Sequence, residues 1–286
     1  METEEVFWIS ATVVTMAVLI SASIWDWRER EVPDMHWIAL GFIGLAMFTS
    51  YSVYTTGFKW EYVCLVAGTV MILFDVLSNK ELSPLIYIPM ALLFIVPLYQ
   101  NMGDDIFRAW ASVPVCYLVY VGMYILNIVR GGADAKCLIV LSIMFPIYPS
   151  FLGLPEIGLP NNPFSQVFVL SISVLFVAAV MVAFIIVYHA VRNAAESGFS
   201  RRMFTGYRMD ISQAESADVW PLEDVIDGAL TPIKIPEEEE MENIYARLRE
   251  AGHEKVWVTP MIPFIVFITA AAAIVIFVGN PLFLIF

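Results

Sequence analysis

Charged residues are scarce in this 286-residue chain: Asp, Glu, Lys and Arg make up 15% of it, against 59% apolar residues and a mean hydropathy of +0.75. That balance excludes a soluble globular domain, which could not cover so much apolar surface with so little charge. Cysteine is rarer still. Cys64, Cys116 and Cys137 fall inside or beside apolar runs, at no metal-ligand spacing, so a disulfide framework is excluded and the three read as small core residues. His36, His189 and His253 are scattered along the chain, which excludes a histidine-built metal site. Basic residues number 15 against 28 acids, a formal net charge of −13, and this excludes a nucleic-acid binder. Internal repeats are absent, as is low complexity apart from the run Glu237 to Glu240. The first residues, Met1 to Glu5, are acidic where a secretory signal would be basic, and no small-residue cleavage site follows the first apolar run. That run is expected to remain as a first span.

What the chain has in abundance is apolar segments of bilayer-crossing length. About twenty apolar residues cross a hydrocarbon core, and eight segments qualify or nearly so: 6 to 25, 37 to 56, 61 to 78, 83 to 100, 106 to 129, 134 to 149, 165 to 191 and 258 to 281. The expected fold class is therefore an all-α polytopic membrane protein of about eight transmembrane helices. The sixth segment is short and meets Pro146 and Pro149, so its outer end is expected to be irregular. With the N-terminus outside, the inner face receives Arg28, Arg30, Lys80, Arg130, Lys136, Arg192, Arg201, Arg202, Arg208, Lys234, Arg247, Arg249 and Lys255, and the outer face only Lys59 and Arg108. The bias of Lys and Arg toward the cytoplasmic side sets that orientation. Trp8, Trp25, Trp37, Trp60, Tyr99, Trp110, Tyr188 and Trp257, near span ends, read as interfacial anchors.

One sizeable polar region interrupts this pattern, residues 193 to 257, with fourteen acids against seven Lys and Arg. It predicts an acidic cytoplasmic subdomain between a bundle over residues 1 to 192 and a last span in 258 to 286. Within it, Pro236 and the following acids open a short amphipathic helix with Ile244, Tyr245 and Leu248 on one face and Gly252 as its stop. Lys255 to Val258 reads as extended.

Two acids stand at the edges of the apolar slab, where a carboxylate is costly and so becomes a functional candidate. Asp134 lies in Arg130-Gly131-Gly132-Ala133-Asp134-Ala135-Lys136, just as the sixth segment opens. Asp26 lies at the inner end of the first, because Pro33 disfavours helix at Val32 and the span must end nearby. Four spans separate the two, an even number, which returns Asp134 to the membrane face of Asp26. Two carboxylates meeting in a partly wet pocket share one proton, and such a pair can activate water for attack on a peptide carbonyl. Gly131 and Gly132 would let an extended substrate backbone approach closely. No cofactor or metal is needed for that chemistry.

Three stretches carry a resemblance. They are Asp26 with Val32-Pro33-Asp34 (D-x-x-x-x-x-V-P-D), Gly131 to Lys136 (G-x-x-D-A-K), and the tail Pro260, Pro263, Phe264, Ile265 with Gly279 to Leu282. Together they resemble the archaeal prepilin and preflagellin peptidases, aspartic proteases of the type IV prepilin peptidase group. The family's second motif is written G-x-G-D, and Ala133 stands here in place of its second glycine. The resemblance implies Asp26 and Asp134 as the catalytic pair of a plasma-membrane endopeptidase working at the cytoplasmic face. Its substrates would be archaellin or type IV pilin precursors with a short basic leader, a small residue before the scissile bond and an apolar helix after it. Bacterial relatives add a cysteine-paired cytoplasmic segment and methylate the new N-terminus. Nothing like that segment is present, so proteolysis alone is expected.

The remaining polar residues have plainer readings. Asp75 is the rival acid, a helix-packing residue or a third member of the site; Asp34 reads as a turn or cap residue. Lys136 reads as an interfacial anchor or as a residue steadying the site, and Glu237 to Glu240 as a solvated helix start or a leader contact. A transporter would bury acids at mid-membrane and show interrupted spans in matching halves; here the acids sit at one face with no two-fold pattern. A GxGD intramembrane protease shares the chemistry and differs in substrate.

Overall fold

The computed structural model describes residues 3–78, 83–126, 128–129, 131–157, 169–197, 204, 206–236 and 238–284. Lys80, Arg130, Arg201, Arg202, Glu237 and the start of the seventh expected span, 165–168, lie outside the described residues. The chain divides into two compact units, the first Met1–Ala179 with Pro263–Phe286, the second Val180–Ile262.

The first unit is a helical bundle. Helix α1 (Thr3–Glu29) carries Glu4 and Glu5 in its first turn and Arg28 in its last, charges that suit the helix dipole at each end. It is followed by α2 (Met35–Thr56), α3 (Glu61–Leu77), a short 3-10 turn (Pro84–Ile86) running into α4 (Tyr87–Gln100), α5 (Asp105–Ile125) and α6 (Gly132–Met144). Helix α7 (Leu170–Ser197) runs from the first unit into the second, and α10 (Phe264–Ala273), continued by a π turn (Ile274–Val278), returns the chain to the bundle.

Among the described residues, four helices are long and apolar enough to cross a membrane: α1, α2, α5 and Leu170–Val191 of α7. The chain is a membrane protein, and the eight expected crossings are not confirmed. The other four expected segments are helical but shorter. Helix α3 has 17 residues and α6 has 13. The segment expected at 258 to 281 begins as a β-strand, because Pro260 and Pro263 hold back the helix until Phe264.

Helix α6 is the centre of the bundle. Every residue from Cys137 to Phe145 is buried to 1% exposure or less, and the helix packs against α2, α3, α5 and α10. At about 1.5 Å per residue its 13 residues reach roughly 20 Å, well short of a hydrocarbon core of about 30 Å. The chain past Met144 is irregular. Its buried Phe145 and Pro146 fit the rule that non-helical backbone survives at membrane depth only when protein covers it. Gly44 sets the approach of α2: a Cβ there would strike the Met144 backbone, so the two helices touch main chain to side.

The second unit corrects the all-α expectation. It contains a three-stranded antiparallel sheet in the order β1 (Tyr207–Asp210), β5 (Lys255–Pro260), β2 (Val219–Pro221), and a hairpin of β3 (Glu223–Ile226) with β4 (Ala229–Pro232). Strands β1 to β4, of three or four residues each, show no alternating run long enough to reveal a period of two, while β5 bears out the extended reading of Lys255 to Val258. The β3–β4 turn was readable in principle, since Asp227 and Gly228 both take positive φ, as a two-residue hairpin turn requires. Helix α8 (Ile211–Ala214) is one turn, and α9 (Met241–Glu250) buries Ile244, Tyr245 and Leu248 against Ile211, Ala214, Val219, Val256 and Val258. A 3-10 turn (Glu238–Glu240) stands where helix was expected from Pro236 onward.

Asp224, 6% exposed, is held by both Nε (3.0 Å) and Nη2 (2.5 Å) of Arg247 across the β3–α9 contact. Removing one member of such a pair strands the other. Arg247→Met is expected to cost the second unit about 2 kcal/mol, less than the roughly 3–5 kcal/mol of a fully buried pair because the Arg side chain is 45% exposed. Faster amide hydrogen exchange in α9 and β3, with the first unit unchanged, is the measurement that checks it.

Candidate active site

Four helix ends meet at one end of the bundle: the last turn of α1 and the first turns of α2, α6 and α10. Asp26, Asp34, Gly131, Asp134, Lys136, Pro263 and Ile265 lie on or beside them; Pro260 ends β5, and Gly279 to Leu282 come after the π turn that continues α10.

Asp26 sits one turn before the end of α1, half-buried. Its Oδ2 accepts the backbone N–H of Ile265 at 3.0 Å. Ile265 is the second residue of α10, where N–H groups have no partner inside the helix, and Pro263 at the N-cap has no side-chain hydrogen bond to offer. Asp26 therefore supplies the cap that α10 lacks. Just below it, Ser23 Oγ lies 2.7 Å from Thr269 Oγ1, which is also 3.2 Å from the Leu19 carbonyl.

Asp134 occupies the first turn of α6, with Gly131 as N-cap. Its carboxylate folds back to accept the Gly131 N–H, as an acid at the third helical position does in a capping box. A Cβ on Gly131 would overlap Asp134 Oδ2, although φ −76° and ψ 123° there suit any residue. Glycine is required by space, not by backbone conformation. Gly132 differs: a Cβ there would meet nothing nearer than the Tyr124 hydroxyl at 4.0 Å.

The charge of Asp26 acts directly on Asp134 and, one turn further along α6, on Cys137. The structure thus brings two like charges from residues far apart in sequence into one electrostatic neighbourhood. Among the described residues no three His, Cys, Asp or Glu side chains converge as metal ligands. A carboxylate pair with one backbone donor on each member is suited to moving protons to and from a bound water.

A second tie joins the same two motifs. Lys136 Nζ lies 2.6 Å from Asp34 Oδ1. Asp34 holds the N-cap position of α2 without a side-chain cap bond, its carboxylate being turned to Lys136 instead. The Val32-Pro33-Asp34 turn is thereby pinned to the helix that carries Asp134. Lys136→Met and Asp34→Asn are each expected to cost about 0.5–1 kcal/mol, as partly exposed ion pairs do. The double variant should cost no more than the larger single, and thermal unfolding in detergent across the four-member cycle measures that coupling.

Asp75 stands apart. Its two carboxylate oxygens accept the hydroxyls of Tyr87 (2.9 Å) and Tyr117 (2.6 Å), which binds α3 to α4 and α5. That satisfied arrangement is the helix-packing role. His36 links Ser21 Oγ (3.0 Å) to the Pro33 carbonyl (3.0 Å) and closes the α1–α2 turn. The residues that sequence reasoning did not single out are Ile265 as donor and the Ser23–Thr269 pair. A serine three residues before Asp26 and a threonine four after Ile265 give no signal until the helices are seen side by side.

Residues 200–280 match the family described as Archaeal Peptidase A24 C-terminus Type II. The match covers Ile265 and Thr269 and stops short of both acids. An uncharacterized protein of Methanocaldococcus jannaschii is 24% identical over 273 residues, 93% of this chain and 91% of that relative.

Proposed function

We propose, for a chain whose archaeal A24 peptidase C-terminus supports its assignment to the prepilin and preflagellin peptidases, that it is a membrane aspartic endopeptidase cleaving the leader from archaellin or type IV pilin precursors. The observation that carries this reading is that Asp26, at the end of α1, and Asp134, at the start of α6, stand near enough for the charge of one to act on the other, beside the ion-paired motif residues Asp34 and Lys136. One carboxyl of the pair is ionised and takes a proton from water as the oxygen attacks the scissile carbonyl carbon. The other, protonated, gives its proton to the carbonyl oxygen. The resulting gem-diol collapses as its C–N bond breaks: the leaving nitrogen takes the proton from the first carboxyl while one gem-diol hydroxyl gives its proton to the second, so the pair again holds a single proton.

The N-terminus lies outside and the acid pair faces the cytoplasm, because nearly all Lys and Arg then fall inside. The plasma membrane is the expected location. An acidic segment at 193 to 257 favours a substrate with a basic leader. Gly131, Gly132 and Lys136 shape the site, Gly131 by leaving room for Asp134.

The test is co-expression with a tagged archaellin or pilin precursor, read by gel mobility and by mass spectrometry of the new N-terminus. Cleavage after the basic leader is the expected result. A precursor that stays intact beside abundant membrane-inserted protein, for both substrate classes, would overturn the reading.

A further inference from the structure

Among the described residues Asp26 accepts one hydrogen bond, from the Ile265 N–H, and that donor belongs to a helix far along the chain. The apolar contacts between α1 and α10 do not fix where one lies along the other. Apolar side chains slide past one another at little cost, and a displacement of about 1 Å would take a 3.0 Å bond out of range.

The register is set by polar groups. On α1, Leu19, Ser23 and Asp26 recur at intervals of four and three and so line one face; on α10, Ile265 and Thr269 are four apart and do the same. Thr269 Oγ1 lies 2.8 Å from its own helix's Ile265 carbonyl, 3.2 Å from the Leu19 carbonyl and 2.7 Å from Ser23 Oγ. A threonine hydroxyl has one proton and two lone pairs. Ser23 Oγ also lies 3.5 Å from the Ile265 carbonyl, so the two hydroxyls and the carbonyls of Leu19 and Ile265 form one network in which either hydroxyl can donate to the other. The network has one register, and inside a bilayer it has no water to replace it.

We propose that Thr269, with Ser23 as its hydrogen-bond partner, is a positioning residue: the clasp locks α10 against α1 so that the Ile265 N–H meets the Asp26 carboxylate and holds it in its working orientation. The proposal rests on the reading of Asp26 as one of the two water-activating acids. It assigns to the C-terminal helix a part in the geometry of a site whose acids lie on α1 and α6.

Thr269→Val keeps the shape of the side chain and removes the hydroxyl; Ser23→Ala removes its partner. Each is expected to lower kcat for precursor cleavage about tenfold, with KM within about twofold, and to displace the pH profile of kcat, since a misplaced acid is a misplaced proton acceptor. The double variant should lose no more than the worse single, and Thr269→Ser should recover the parent profile. A parent-like kcat and pH profile in Thr269→Val would overturn the proposal, as would a Thr269→Ser protein as impaired as Thr269→Val. So would a lowered unfolding temperature with an unmoved profile. The backbone exchange rate of Ile265 in 15N-isoleucine-labelled protein in detergent gives a readout that needs no substrate. It should rise about tenfold in Thr269→Val, and an unchanged rate sinks the clasp whether or not the protein is a protease. A parent that cleaves nothing while Ile265 exchange responds as expected sinks the protease reading alone.

Discussion

Asp26→Asn and Asp134→Asn are each expected to abolish leader removal, a loss of about 10³-fold or more in kcat, with the protein still inserted and folded. Asparagine has the shape of aspartate and can still accept a hydrogen bond through its amide oxygen. Asp26→Asn thus keeps the bond from Ile265, and Asp134→Asn keeps the back-bond from Gly131. What each loses is the ability to exchange a proton. A transporter that used either acid only as a structural cap would be little changed. The double variant should be no worse than either single, because a pair that shares one proton fails as a unit when either member is removed. Asp75→Asn serves as the internal contrast. Its carboxylate is occupied by Tyr87 and Tyr117, so the expected loss is in stability, and cleavage per folded molecule should stay within a few-fold of the parent. Full processing by either Asn variant, measured against precursor of known amount, would remove the acid pair from the mechanism. Loss of processing in folded Asp75→Asn would enlarge the site to three acids.

Different parts of this architecture were legible to different degrees. Long apolar runs announce helices because each must satisfy its own backbone in a bilayer, and α1, α2, α5 and α7 are where the sequence pattern and the structure agree most directly. Crossing number is a weaker deduction. Helix α6 is buried throughout from Cys137 and still only 13 residues long, because its length is limited by Pro146 and its burial comes from neighbouring helices, not from lipid. The second unit was legible in α9, whose Ile244, Tyr245 and Leu248 repeat at helical spacing, and in Lys255 to Val258, which read as extended and form part of β5; its other strands and the strand pairing were opaque. Those strands are held by pairing between Tyr207 and Val258 or Trp220 and Thr259, residues about forty to fifty positions apart. Counting spans orders the faces of a membrane but says nothing of which helices touch. For that reason Asp26 and Asp134 could be nominated from their surroundings, while the Ile265 donor, the Thr269 hydroxyl and the Asp34–Lys136 bridge could not.

The two glycines of the second motif are expected to separate under substitution. In Gly131→Ala the new methyl group would occupy the place of Asp134 Oδ2. The backbone at Gly131 can stay as it is, since φ −76° is ordinary for alanine, so the strain falls on the carboxylate, which must rotate away. Rotation breaks the back-bond to the Gly131 N–H and carries Asp134 out of its relation to Asp26. A reacting group displaced by about 1 Å costs on the order of 10²-fold, and that loss should appear in kcat, with KM nearly unchanged. Gly132 is the first helical residue of α6, with open space where its side chain would be. Alanine there removes backbone freedom from the unfolded chain and favours the helix by up to about 1 kcal/mol, so the protein should unfold no more easily than the parent. If the extended substrate passes through that open space, Gly132→Ala will raise KM several-fold and leave kcat close to the parent value. A kinetic series on one purified precursor peptide, with the unfolding temperature of each variant beside it, decides the matter. Equal losses in kcat for both variants would mean that Gly131 is not the spacer for Asp134 and that the open face of Gly132 is not the path of the substrate.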